Sequence, residues 1–173
     1  MTRLSLESIV PAFIILIASL SFHEAAHAWA ADRLGDQTAR RLGRLTLNPL
    51  AHVDWIGTVI FPLVGMLSGL PLIGWAKPVP VDVRNLRAPR RDFALIALAG
   101  PASNIVLAVV AGVFLKMQGG LVPDGGATVL TGALALAVFL NVLLAVFNML
   151  PVPPLDGGNV LAGIVPEAAA RLI

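Results

Sequence analysis

The chain has 173 residues, of which 57% are hydrophobic and 13% charged, with a formal charge of +2 and no cysteine. Such a composition excludes an ordinary soluble domain and indicates a single integral membrane domain, 1–173, in a lipid bilayer. The missing cysteines exclude disulfide frameworks and thiolate metal sites, and without aromatic-interleaved basic patches no nucleic-acid partner is expected.

The first apolar segment, 9–31, is long enough to span as a helix and tolerates Pro11 near its start. It is read as retained rather than cleaved as a signal peptide, because it contains His23-Glu24-Ala25-Ala26-His27. Two histidines four apart on a helix share one face, where a single Zn²⁺ can take both imidazoles. Glu24 then stands beside the metal as a proton carrier. Three ionisable groups in five residues are expensive at membrane depth, and a metal site accounts for them.

A polar stretch, 32–54, carries Arg33, Arg40, Arg41 and Arg44. Segment 56–75 is apolar but broken by Gly57, Pro62, Gly65, Gly69, Pro71 and Gly74. A basic loop, 77–91, contains a strand-like alternation at 79–83 that could offer an edge to a substrate strand. Segments 93–115 and 128–150 are clean spans, with a turn expected at 119–126. Gly100 and Gly112 are expected to let helices approach closely, and Asn141 to help them pack.

Segment 56–75 sets the topology. If it crosses, the 12 Lys and Arg divide seven against five. If it enters and leaves on one side, ten share a face and only Arg3 and Lys116 lie opposite. The positive-inside rule selects the second arrangement and places the basic face in the cytoplasm. The expected fold is therefore an all-α polytopic membrane protein: three core transmembrane helices, a Pro/Gly-broken re-entrant or hairpin segment, and a short strand-like loop. Three crossings bring Asp156 to the membrane level of His23 and His27. A wet cleft is expected to open toward the cytoplasm past Ser19, Ser21 and the 32–54 loop, with 56–75 as a gate beside it.

A catalytic zinc usually takes three protein ligands and keeps one open position. Candidates for the third are Glu7, Asp32, Asp36, His52, Asp54, Asp124 and Asp156. Asp156 is the best of these. Pro151, Pro153 and Pro154 end the preceding helix, and Gly157-Gly158 lets the backbone bend toward the site.

These residues carry a resemblance to the site-2 protease family of intramembrane zinc metalloproteases, in its short prokaryotic branch. The matching pieces are the 23–27 motif, 43–54 (Gly-Arg-Leu-Thr-Leu-Asn-Pro-Leu-Ala-His-Val-Asp), 74–81 (Gly-Trp-Ala-Lys-Pro-Val-Pro-Val), 99–104 (Ala-Gly-Pro-Ala-Ser-Asn) and 147–158 (Phe-Asn-Met-Leu-Pro-Val-Pro-Pro-Leu-Asp-Gly-Gly). The resemblance implies one Zn²⁺ per chain on His23, His27 and Asp156, with Glu24 as the catalytic glutamate. It implies a prokaryotic cell membrane and a transmembrane protein as substrate. Asn148 and, second, Asn104 are candidate oxyanion donors. His52 belongs to the family pattern and is read as a hydrogen-bonding interfacial residue. Two departures stand out: Trp55 occupies a position where the branch often has Pro, and a further membrane helix usually follows the Leu-Asp-Gly motif. A shortened or minimal form is therefore expected. The alternative from another class is a non-catalytic metal-binding membrane protein, a transporter or sensor. It is disfavoured by the lack of internal repeats and by polar groups that converge on one end.

Overall fold

The computed structural model describes residues 6–68, 74–121 and 128–166. Three long apolar helices dominate it. Helix α1 (Leu6–Leu34) is followed by a single turn, α2 (Thr38–Arg41), and a short 3-10 turn at Pro49–Ala51. A π-helical stretch, Trp55–Ile60, leads into α3 (Phe61–Ser68). After a further 3-10 turn at Val83–Asn85 come α4 (Pro89–Leu121), α5 (Val129–Asn148) and α6 (Asp156–Ile164). The three stretches long and apolar enough to cross a membrane are Val10–Leu34, Pro89–Gln118 and Val129–Asn148. They fall on the three expected spans, so the chain is an all-α polytopic membrane protein. Helices α1 and α4 run past their expected apolar limits, whereas α5 stops just inside its own. Pro89 starts α4, where a missing N–H costs nothing, and Thr128 caps α5 by accepting from the Thr131 N–H at 3.1 Å. Of the turn expected at 119–126, Gly119 and Gly120 are still in α4, and residues 122–127 lie outside the described part.

Helix α4 is the hub, packed against α1, α5 and α6. Leu16, Leu20, Ala76 and Leu140 form one apolar cluster; Ala30, Ala31, Leu86 and Ile96 form another. A buried polar ladder ties the three spans together. Asn104 donates to Asn141 Oδ1 (2.9 Å) and Asn141 donates to Ser19 Oγ (2.9 Å). Among lipids such side-chain bonds help to hold helices in one register. The outward faces carry Val106, Val109, Val113 and Phe114 on α4, and Phe139, Val146 and Phe147 on α5. Exposed apolar rows of this kind suit contact with acyl chains.

The 56–75 segment does not cross. Its helical part has six and then eight residues. At 1.5 Å per residue the described helical part spans about 21 Å, short of the ~30 Å hydrocarbon core. Its ends meet: the Trp75 N–H donates to Gly57 O (3.1 Å) and Thr58 Oγ1 donates to Trp75 O (2.8 Å). Asp54 starts it by accepting from the Ile56 and Gly57 N–H groups at 3.1 and 2.7 Å. Trp55 therefore sits just after a capping aspartate. Residues 69–73 lie outside the described part.

Two expectations are corrected. No β-strand forms among the described residues; 76–82 is an extended strap, unpaired because Pro78 and Pro80 have no N–H to give to a ladder. The Gly157-Gly158 stretch, expected to serve as a bend, is instead the start of helix α6. Gly157 and Gly158 form its first turn, and a Cβ at Gly157 would fall on the carbonyl oxygens of Met149 and Leu150. The two glycines thus allow close packing, not merely a bend.

Candidate metal centre

His23 and His27 project from one face of α1 with ring centroids 4.6 Å apart. Asp156, first residue of α6, reaches them across the bundle. Its Oδ2 lies 3.1 Å from His23 Nε2 and 3.4 Å from His27 Nε2. Among the described residues, these are the only three His, Asp or Glu side chains placed closely enough to share an ion. Zinc–ligand bonds of ~2.0–2.2 Å in tetrahedral geometry imply donors about 3.3–3.5 Å apart. A charge-assisted N–H···O bond would be about 2.7–2.9 Å. The 3.4 Å separation falls in the first range, and the 3.1 Å separation lies midway between the two. Asp156 Oδ2 is buried and has no hydrogen-bond partner, as an oxygen reserved for a cation would be.

Both imidazoles are oriented from behind. His23 Nδ1 is 2.6 Å from Asn104 Oδ1, and His27 Nδ1 is 2.7 Å from the Ile96 carbonyl oxygen. A carbonyl only accepts, so each Nδ1 carries a proton, which in the neutral imidazole leaves the Nε2 lone pair as the donor facing Asp156. Gly100 faces the same point from α4. A Cβ there would fall on Nε2 of both histidines, so the absent side chain leaves the space an ion needs. The donor set, the orphaned oxygen and this cradle all fit Zn²⁺.

Glu24 lies beside the three donors, 8% exposed, and its Oε2 accepts the Val79 N–H at 3.0 Å. Together they open onto a cavity of about 520 Å³. Its apolar wall includes Leu20, Ile96, Ala97, Leu144 and Phe147; the strap residues Trp75, Pro78 and Val79 cover one side. Asn148 and Asn159 are its side-chain amides. Asn148 Nδ2 donates to Leu144 O at 2.9 Å. Asn159 was missed from sequence, because only the α6 helix reveals that it stands one turn beyond Asp156.

Asn104 does not line the cavity. It is fully buried, its amide donating to Asn141 Oδ1 and to Ser19 O (3.3 Å), so it has no hydrogen left for an oxyanion. Its geometry is that of a support for His23. Ser19 and Ser21 are also buried and bonded internally, Ser21 Oγ to Ile17 O at 2.7 Å, so neither lines a water path. Of the other third-ligand candidates, Asp32 pairs with Arg40 (2.6 Å), Asp54 caps the helical segment after it, and Asp36 accepts from Thr38, Asp82 and Asn85. His52 is 1% exposed and hydrogen-bonded as expected, with Nε2 bonded to Thr46 O at 2.8 Å. The Glu7 side chain and Asp124 lie outside the described part.

A membrane-embedded bundle with a two-histidine, one-aspartate centre defines a class, and the comparisons agree with it. The sequence profile described as Peptidase family M50 matches residues 122–173. The chain is 39% identical over 163 residues to the "Putative zinc metalloprotease YwhC" of Bacillus subtilis, covering 92% of this chain and 71% of that protein. It is 36% identical over 159 residues to the "Putative zinc metalloprotease Rip2" of Mycolicibacterium smegmatis, covering 89% and 58%. It is 31% identical over 149 residues to the "Putative zinc metalloprotease Rip3" of Mycobacterium tuberculosis, covering 86% and 29%. No solved structure matches the chain significantly. The chain belongs to peptidase family M50, the site-2 protease family of zinc metalloproteases.

Proposed function

We propose that residues 1–173 form a single intramembrane endopeptidase domain that hydrolyses peptide bonds in transmembrane segments of substrate proteins. One observation carries this reading: Glu24 shares a lipid-level cavity with the three zinc donors. Ten of the 12 basic residues lie on one side of the inferred topology, which supports a centre facing the cytoplasm. The apolar cavity wall suits the side chains of a membrane-spanning substrate, whose helix must unwind locally to expose its backbone.

His23, His27 and Asp156 would hold one zinc ion, whose chemistry when bound would be to polarise the scissile carbonyl and acidify the attacking water. Glu24 takes the water's proton and returns it to the departing amine. Asn148 is the oxyanion donor: one amide hydrogen is used on Leu144 O and the second is free for the developing charge. Glu24→Gln tests the reading, since it preserves the three donors and removes the base. The variant is expected to bind zinc like wild type and to lose cleavage of a reconstituted transmembrane substrate by at least ~100-fold. Cleavage at wild-type rate by the zinc-loaded variant would refute it.

A further inference from the structure

We propose that the backbone N–H of Val79 is a positioning group that aims the Glu24 carboxylate, and that the prolines on either side make it the only donor available for the task. This rests on Glu24 being the base. In Pro78-Val79-Pro80 neither proline has an N–H, so three consecutive residues offer a single backbone donor. That donor is spent on Glu24 Oε2 at 3.0 Å. Oε1 has no hydrogen-bond partner among the described residues, which leaves one oxygen fixed and the other free for a proton.

The strap can do this because it is held on both sides of Val79. Before it, the Lys77 N–H donates to His52 O (2.9 Å), and Arg44 donates to the carbonyl oxygens of Lys77 and Pro78. After it, the Asp82 N–H and the Asn85 amide donate to Asp36, each at 2.8 Å. Arg44, His52 and Asp36 are at most 8% exposed and none belongs to the metal cluster. Buried groups outside the centre therefore fix a backbone atom inside it. The same bonds argue against an edge for an incoming substrate strand, since the donors of Lys77, Val79 and Asp82 are all taken within the chain.

The first test needs no change in the strap. Hydrogen exchange at the Val79 amide is unambiguous, because both neighbours lack an exchangeable backbone proton. In zinc-loaded protein it is expected to accelerate at least ~10-fold on Glu24→Ala, with the Lys77 amide unchanged. Equal Val79 rates in the two proteins would overturn the proposal. The second test is Val79→Pro, which deletes the donor while also fixing φ and replacing the side chain. It is expected to keep zinc, lower kcat by about 10–100-fold and leave KM within a factor of about two. Val79→Ala, which retains the N–H, is expected to have a kcat at least ~10-fold above that of Val79→Pro. A fall confined to KM would assign the strap to substrate binding instead. If Val79→Pro keeps wild-type kcat while Glu24→Gln is inactive, the proposal fails and the base reading survives; activity in Glu24→Gln defeats both. If Val79→Pro does not fold, the exchange comparison decides alone.

Discussion

Gly100 occupies a position on α4 where any side chain collides with the donor cluster. In an ordinary helix, replacing glycine by alanine favours the helix by roughly 1 kcal/mol. Gly100→Ala therefore separates folding from metal binding. It is expected to keep the helical circular dichroism of wild type and to weaken zinc binding by at least ~10-fold, the scale of losing an orienting partner. Unchanged zinc affinity would mean that the cradle is not where the ion sits. Sequence singled out Gly100 as a close-approach residue, but not what it approaches. It grouped it with Gly112, where a Cβ would be only in ordinary contact with Val138 at 3.8 Å. His23, Glu24 and His27 were legible because helical spacing is local. The support of His23 by Asn104 was not, because it joins residues 81 positions apart.

At the scale of elements, the strap depends on Asp36. Burial alone would raise this carboxyl, but hydrogen bonds from Thr38, Asn85 and the Asp82 N–H outweigh it and leave the pKa below the ordinary 3.8. A carboxyl with a lowered folded pKa contributes its stability in full above the unfolded value, and loses it as pH falls through the folded one. Asp36→Ala leaves several donors without an acceptor and is expected to cost about 2–3 kcal/mol. The difference in thermal midpoint between wild type and Asp36→Ala should be constant from roughly pH 5 upward and shrink below 3.8. A difference that persists undiminished in acid would show that the carboxylate's charge is not what holds the strap. From sequence, 79–83 looked strand-like because alternation is the local mark of a strand. Its fate as an unpaired strap was set by the two prolines and by distant anchors at Asp36, Arg44 and His52.

For the whole molecule, three spans and a re-entrant segment were legible, since length, hydropathy and charge bias are properties of the chain itself. Helix α6 was not, because its short glycine-rich start reads as a turn until packing against α4 is known. Arg90 Nε, for instance, donates to Ala162 O at 2.6 Å. The absence of cysteine makes the topology directly testable. Single cysteines at Arg41, Lys77 and Arg91 are expected to react with an impermeant maleimide from one side of sealed vesicles, and a cysteine at Lys116 from the other. Labelling of positions 41 and 77 from opposite sides would make 56–75 a crossing helix and misplace Asp156. The central claim, that an aspartate near the end of the described chain completes a site begun by two histidines near its start, is tested most directly by metal analysis. Purified wild-type protein is expected to hold about one zinc per chain, and Asp156→Ala to lose it through an affinity fall beyond the ~10–100-fold of an outer-shell change, with helicity preserved. A folded Asp156→Ala variant that holds zinc as tightly as wild type would contradict the account.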